Sequence, residues 1–453
     1  MMIRLMIKVG ASVATLLALG SMPAQANSVF SQAELSTIWE HELAYSSSSD
    51  DMQKIESVIE PELNLPLSRV ELTAIARIRL DTEADLGPSV RKPSNYSRRN
   101  GPLYTGRHGE LTLRELYLDA QWLGGFWRIG KQQVVWGQAD GLKVLDKVNP
   151  QSFREFILDD FEDSRIPLWM INLEMPIEDG IIQLLWIPDA TSHELPEIGT
   201  PFEFSSREFI PRLPTGSNGV PKLPVLLNKT PTPGRFFRDS DLGLRYSRFT
   251  ESGWDVTLNY LYQYLDLPVL YQDVVGSGPA TRIDVSPTLK RSHVVGGTLS
   301  NAFGSVTLRA EAGYISDTYH ISKNQLTRGI ARSPELSSVV GFDYQGLDDT
   351  LISLQWFQSH LIDYDAQILR AQTGQSVTLL LQRNYANETW QAGLLMIHSL
   401  TQEDGLIQPR LSHQLRSNIE LWGGADLFYG DHEGLFGQFD RQDRFLAGFQ
   451  FGF

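Results

Sequence analysis

The chain has 453 residues, of which 42% are hydrophobic, 10% are aromatic and none is cysteine, and its formal net charge is −15. The lack of cysteine excludes disulfide bonds and thiolate metal sites. The net negative charge argues against a nucleic-acid partner, because a protein that binds nucleic acid needs a basic surface to neutralise the phosphates.

The first 26 residues have the three parts of a secretory signal. Arg4 and Lys8 make the start basic, residues 9–20 are apolar, and the three residues ending at Ala26 have the small-x-small form of a cleavage site. A membrane-anchor helix is disfavoured because the apolar part is well short of the ~20 residues that span a bilayer. We predict a signal peptide over 1–26, cleaved near Ala26, and one domain over 27–453.

The rest of the chain lacks an apolar run of about 18 residues, so only a closed β-barrel could carry it across a membrane. From residue 35 onward, side chains alternate between apolar and polar, as in strands. In the third such segment, apolar residues from Val70 to Leu80 alternate with polar ones such as Thr73. We predict an all-β, antiparallel, up-and-down transmembrane barrel of about 18 strands. Counts of about 14 or 16 stay open, because Pro61 and the serines at 46–49 blur the first two strands.

The connections between these strands alternate in length. Long ones follow odd-numbered strands, near residues 83–109, 139–165, 188–237, 264–290, 316–334 and 362–373. Short, polar, glycine-bearing turns lie between them, at 178–180, 251–253, 301–304 and 346–349. Outer-membrane barrels have short periplasmic turns and long extracellular loops, so both chain ends are predicted to lie in the periplasm.

Charged side chains in the middle of a membrane strand must face water. The residues predicted to line the channel are Arg77, Arg79, Arg128, Arg245, Arg309 and Glu311. A barrel of about 16 to 18 strands is wide enough to hold an aqueous path. The alternative is that these charges pair across the interior and fill it.

The connection at 138–165 differs from the other long loops in composition. Its apolar residues are Leu142, Val144, Leu145, Phe153, Phe156, Ile157 and Leu158, and a loop in water would not need them. The residues predicted to form a constriction are Asp159, Asp160, Glu162, Asp163 and Arg165. We expect this loop to fold into the barrel and to set its acids opposite wall arginines, so that a transverse field selects solutes by charge. A divalent-cation site and a solvated acidic surface are the alternatives.

The strand and loop at 128–150 carry a family resemblance. The run from Arg128 to Gly137, followed by Leu145-Asp146-Lys147-Val148-Asn149-Pro150, resembles a signature of a Gram-negative outer-membrane family of poorly defined function. Members of that family are often encoded beside transporters of the resistance-nodulation-division class. The pattern is also distantly similar to the alginate-export-type porins, which have 18 strands. The resemblance implies a porin-like barrel and an envelope transporter as a partner.

The last strand ends in Phe453, and Phe445, Phe449 and Phe451 share its face. Outer-membrane barrels commonly end in this way, and the resemblance implies that the barrel-assembly machinery recognises this strand. A buried edge strand of a soluble sheet is the alternative. Arg235 and Arg238, in the proline-rich loop at 188–237, are candidate contacts for lipopolysaccharide, and outer-membrane lipid is the expected surrounding.

These features predict a porin-like channel in the outer membrane of a Gram-negative bacterium that passes small hydrophilic or charged solutes. The alternative is a non-conducting partner of an envelope transporter that carries lipid or other hydrophobic cargo. An enzyme is disfavoured, because HExxH and GxSxG motifs are absent and the pairs Ser292-His293 and Ser359-His360 would point to opposite faces of a strand. We expect no catalytic residues, no cofactor and no metal.

Overall fold

The computed structural model describes residues 32–83, 85–86, 95–210, 223–231, 233 and 235–453. The predicted signal peptide and residues 211–222 of the proline-rich loop lie outside the described residues. Eighteen antiparallel strands form the wall of a single barrel. They are β1 Glu34–Ser46, β2 Asp51–Leu67, β3 Val70–Asp81, β4 Gly109–Trp122, β5 Gly125–Gln132, β6 Leu168–Ile177, β7 Gly180–Ile187, β8 Asp241–Phe249, β9 Asp255–Tyr264, β10 Arg291–Phe303, β11 Val306–Ile321, β12 Ile330–Leu347, β13 Thr350–Leu361, β14 Thr373–Tyr385, β15 Trp390–Ser399, β16 Asp404–Arg416, β17 Ile419–Tyr429 and β18 Arg444–Gly452.

The barrel closes where β18 pairs with β1, with Phe449 opposite His41. The connections at one end are short turns, such as 123–124, 178–179 and 348–349. The nine at the other end, which we call the first to ninth loops, are 47–50, 82–108, 133–167, 188–240, 265–290, 322–329, 362–372, 400–403 and 430–443. All long connections therefore follow odd-numbered strands, and the predicted strand number and loop pattern are confirmed.

Alternation along β9 shows how sequence sets the two faces of the wall. Thr257, Asn259 and Leu261 are buried, whereas Leu258 and Tyr260 between them are exposed on the outer side, Leu258 to 61%. An apolar residue so exposed would be unfavourable in water and is favourable against lipid. The period of two therefore gives the barrel its lipid-facing surface.

The first two strands form despite Pro61. This proline lies in β2 opposite Thr37 of β1, and the pairing of β2 with β3 is interrupted between Ile59 and Glu62. Proline has no N–H to donate to a neighbouring strand, so an interruption of the ladder is where it is tolerated. β11 and β12 extend further than the sequence indicates, and the connection expected at 316–334 shortens to 322–329.

Within the described part of the chain, four short strands add to the eighteen wall strands. Tyr104–Gly106 pairs with β4, and Val225–Leu227, Val269–Val275 and Arg282–Thr288 form a separate three-stranded sheet in the fourth and fifth loops. The helix α1, Phe161–Ser164, lies in the third loop, and the turns of 3₁₀ helix are Gly278–Ala280, Gln325–Thr327 and Gly437–Phe439. Among the described residues, no helix has the length and apolar character needed to span a bilayer.

Gly130, in β5, adopts a φ of +144°, which residues with a side chain rarely adopt. A Cβ here would lie 2.1 Å from the carbonyl oxygen of Leu116 on β4. We expect Gly130→Ala to lower the free energy of unfolding by about 1–3 kcal/mol or more, because strain of the backbone adds to the clash. Urea unfolding of the barrel in lipid vesicles measures this. Gly393→Ala is the control, since its nearest neighbours lie 4.0 Å away, and an equal effect of both substitutions would contradict the prediction.

Candidate functional site

The first part of the third loop packs against the inner face of the barrel. Trp136 and Leu145 of the loop are each 2% exposed and belong to one apolar cluster with residues of six wall strands. The wall members of this cluster are Leu168, Met170, Leu185, Ile187, Leu261, Val294, Val339 and Phe357. The indole Nε1 of Trp136 donates a hydrogen bond to Oε1 of Gln183 on β7, at 2.8 Å. The inner face is therefore apolar on this side rather than polar throughout.

A second apolar cluster joins the third loop to other loops. Phe156 contacts the rings of Phe428, Phe436 and Phe439, with its centroid 4.8 Å from that of Phe439. Phe202 of the fourth loop belongs to the same cluster. The third, fourth and ninth loops thus share one aromatic core.

Arg309 and Glu311 of β11 hold the backbone of the third loop. Glu311 accepts hydrogen bonds from the N–H groups of Gln138 and Leu145, the latter at 3.2 Å. Arg309 donates to the carbonyl oxygen of Gln138 and forms an ion pair with Asp140, each at 2.5 Å. These two wall residues, which the sequence predicts to line the channel, therefore fix the loop on one side of the interior.

A buried ionic network holds the loop on the opposite side. The carboxylate of Glu155, whose side chain is fully buried, lies 2.8 Å from Nζ of Lys54 on β2, 2.8 Å from Arg154 and 2.7 Å from Arg444 on β18. Arg154 also donates to both oxygens of Glu56 on β2, at 2.9 and 3.1 Å. Burial alone would oppose ionisation, but Lys54, Arg444 and Arg154 hold the pKa of Glu155 well below its usual range.

One of the acidic residues around α1 pairs with arginines of the wall. Asp163 forms an ion pair with Arg77 on β3 and lies 3.7 Å from Arg114 on β4. Arg114 also donates to the carbonyl oxygen of Glu162, at 2.6 Å. The side chains of Asp160 and Glu162 are exposed. Burial opposes the ionisation of Asp163, yet Arg77 and Arg114 keep its pKa below the usual value.

Asp159 and Arg165 flank this acidic turn. Burial, and then the negative charge of Glu155, raise the pKa of Asp159 to about 6. Arg165 points instead toward Asp146 within the same loop, with Nε 2.8 Å from Oδ2. The five residues predicted to form a constriction therefore share the third loop, but they have different partners.

The remaining wall arginines have partners close to them. Nε of Arg79 lies 3.3 Å from a carboxylate oxygen of Glu56 on the neighbouring strand. Arg128 donates two hydrogen bonds of 2.8 Å to Asp119 on β4. Arg245 on β8 donates to a backbone carbonyl oxygen of the third loop, at 3.3 Å. Four of the six predicted wall residues thus contact the third loop, and Arg79 and Arg128 pair with acids of adjacent strands.

The residues of the ionic network around Glu155 were not predicted from the sequence as site residues. Its wall members come from β2 and from the start of β18, next to the aromatic face that dominates the pattern of that strand. Lys54 and Glu56 are two residues apart and share one face of β2. This charged pair was the sequence signal that could have indicated an inward-facing ionic site. The irregular pattern around Pro61 obscured it.

The Ser-His neighbours have separate partners. Ser292 is buried inside the wall and its neighbour His293 is exposed, where it contacts the hydroxyl of Tyr260 at 2.9 Å. Nδ1 of His360 lies 2.8 Å from Thr373. In the described ranges, no group of His, Asp and Glu is arranged to hold a metal ion. Four acids of the third loop, Asp140, Asp146, Glu155 and Asp163, form ion pairs with basic side chains instead.

Comparison with known proteins agrees with the barrel fold. A family model described as "Protein of unknown function (DUF1302)" matches residues 77–418. No curated protein is significantly similar to the chain. Among solved structures, OccAB2 of Acinetobacter baumannii aligns with a TM-score of 0.53 at 11% identity over 94% of this chain and 99% of that one. OpdK of Pseudomonas aeruginosa, solved with vanillate, aligns with a TM-score of 0.50 at 8% identity, over 93% of this chain and 99% of that one. OccK9 of the same organism aligns with a TM-score of 0.50 at 10% identity, over 94% of this chain and 98% of that one. The likeness establishes the fold of an outer-membrane porin barrel.

Proposed function

This chain belongs to the DUF1302 family of unknown function, and we propose that it is a porin-like channel of the Gram-negative outer membrane that passes small hydrophilic or charged solutes. Lipid surrounds the wall in this proposal, and lipopolysaccharide contacts the outer loops, where Arg235 and Arg238 are exposed. An envelope transporter is a further proposed partner.

One observation carries the proposal: the third loop is tied to opposite sides of the wall. Asp140 pairs with Arg309 on β11, and Asp163 pairs with Arg77 on β3. A barrel of about 18 strands is too wide for its wall side chains to fill. A loop that crosses such an interior narrows it, and acids opposite arginines create a transverse field that discriminates between charged solutes.

The exposed acids of the loop offer a direct test of this field. We expect the double variant Asp160→Asn/Glu162→Gln to shift ion selectivity toward anions, because it removes two negative charges and leaves the pair of Asp163 with Arg77 in place. A change of about 1.4 kcal/mol in the energy of a permeating ion would alter the permeability ratio tenfold. Reversal potentials across planar bilayers under a salt gradient measure the change.

The matched control is Asp348→Asn/Asp349→Asn, which removes two exposed charges from a short turn at the other end of the barrel. Selectivity should stay near that of the unmodified chain. Equal shifts of the reversal potential in both double variants, or no shift in either, would contradict the proposal that the third loop forms a selective constriction.

A second function is favoured by the apolar inner face. A non-conducting barrel that hands hydrophobic cargo to an envelope transporter would use inward-facing apolar residues such as Leu261, Val339 and Phe357. The third loop covers these residues in the structure, so this function requires the loop to leave the wall. Conductance of the purified chain separates the two functions. Ion-selective current steps favour the channel, whereas silence together with lipid retained through purification favours the carrier.

A further inference from the structure

The start, the middle and the end of the third loop meet at the side chain of Asn149, which is 1% exposed. Its Oδ1 accepts a hydrogen bond of 2.8 Å from the N–H of Val134, near the start of the loop. Its Nδ2 donates to two carbonyl oxygens, that of Gln132 at the end of β5, at 3.3 Å, and that of Ile166 just before β6, at 3.0 Å. A carboxamide has one oxygen and two N–H donors, so each of its polar groups has a backbone partner here.

The backbone next to Asn149 closes part of the loop upon itself. The segments 150–152 and 164–166 lie side by side, because the N–H groups of Ile166 and Ser152 each donate to a carbonyl oxygen of the opposite segment, at 2.8 and 2.6 Å. We call these two segments the neck, and the residues between them, 153–163, the arm. The hydrogen bonds of Asn149 therefore attach the neck to the end of β5.

The arm carries the charged groups that would act on a solute. Asp160 and Glu162 are exposed on it, and Asp163 and Glu155 form its ion pairs with the wall. Such ion pairs join long side chains, which can follow a shift of the backbone, whereas a hydrogen bond confines its two heavy atoms to a narrow range of distances. The neck at Asn149 therefore sets the place from which the arm extends.

We propose that Asn149 is the positioning residue of the channel. It holds the neck against β5, and in this way it fixes the distance between the acids of the arm and the arginines of the wall on which ion selectivity depends. This inference rests on the proposed channel function. It also gives a role to the segment 145–150, which carries part of the family resemblance in the sequence.

Asn149→Leu tests the inference in the full-length barrel, because leucine is branched at the same carbon and forms no hydrogen bonds. Three backbone groups would lose their partner in a buried site. We expect added protease to cleave within 133–167 faster by about tenfold or more, a factor that corresponds to about 1.4 kcal/mol in the opening of the loop. Asn149→Ala removes the same hydrogen bonds without a larger side chain and is the second variant.

Reversal potentials across planar bilayers under a salt gradient give the readout that a purely structural role would not change. We expect both variants of Asn149 to shift selectivity toward anions, in the same direction as Asp160→Asn/Glu162→Gln. The reason is that the acids move away with the arm, whereas Arg77 and Arg114 stay on the wall.

The matched control is Asn172→Leu, at a buried asparagine of β6 that is 7% exposed. Its carboxamide bonds to the side chains of Gln132 and Gln183, at 3.4 and 3.1 Å. This variant should lower the midpoint of urea unfolding and leave both the rate of cleavage and the reversal potential unchanged.

Unchanged cleavage and an unchanged reversal potential in both Asn149 variants would overturn the inference, as would equal changes in Asn172→Leu. Faster cleavage with an unchanged reversal potential would also contradict it, because the arm would then not set the selectivity. In each of these cases a barrel that conducts leaves the proposed channel standing. A barrel that does not conduct refutes the channel, and faster cleavage in the Asn149 variants alone would still support the positioning of the loop by this residue.

Discussion

Replacing Glu155 by glutamine is expected to lower the free energy of unfolding by about 3–5 kcal/mol, the usual cost of removing one partner from a buried ion pair. The carboxylate of Glu155 is the shared partner of Lys54, Arg154 and Arg444, all of them buried. A neutral amide would remove one negative charge from this buried cluster and leave the three cations to Glu42, Glu56 and Asp426 alone. Urea unfolding of the barrel in lipid vesicles, followed by tryptophan fluorescence, measures the loss.

Glu162→Gln is the matched control, since the same change is made in the same loop at an exposed side chain. Its unfolding midpoint should stay close to that of the unmodified chain. A midpoint for Glu155→Gln that coincides with that of Glu162→Gln would show that the network contributes nothing measurable to stability.

Replacing Trp136 by alanine should release the first part of the third loop from the wall. The indole is 2% exposed and packs closely on Gly243 of β8, where a Cβ would lie only 2.9 Å from its ring. Its loss leaves a cavity and removes the donor to Gln183, and substitutions of buried aromatic residues by alanine cost about 3–5 kcal/mol. We expect faster cleavage within 133–167 by added protease and, if the barrel conducts, a larger and noisier current.

The control for this variant is Trp122→Ala, at a tryptophan 63% exposed beside a short turn. The rate of cleavage within the third loop should not change in this control. Unaltered cleavage in Trp136→Ala would mean that other contacts are sufficient to hold the loop.

The sequence was sufficient to predict the wall because the signal for a membrane strand is local. Alternation such as that of β9 is complete within about ten residues, and the lengths of the connections give the orientation of each strand. The inner apolar face was not anticipated. Leu261 continues the alternation of β9 on the inner side, and a period of two does not show that an apolar side chain has a loop to pack against.

The candidate site was predictable in part, because the composition of the third loop is also a local signal. The apolar residues Val144 and Leu145 mark the third loop as different from a solvated loop, and both are buried. The partners of the charged residues were not predictable. Along the chain, Glu155 lies about 100 residues after Lys54 and almost 300 residues before Arg444. Only the path of the third loop across the interior brings Glu155 to these two residues.

The position of Glu155 has a consequence for how the protein is assembled. Lys54 belongs to β2 and Arg444 to β18, and these two strands flank β1 at the junction where the first and last strands meet. One carboxylate from the third loop therefore bridges both sides of that seam. Docking of the third loop and annealing of the final strand become coupled steps, so an intermediate with the loop outside would also have a weakened seam.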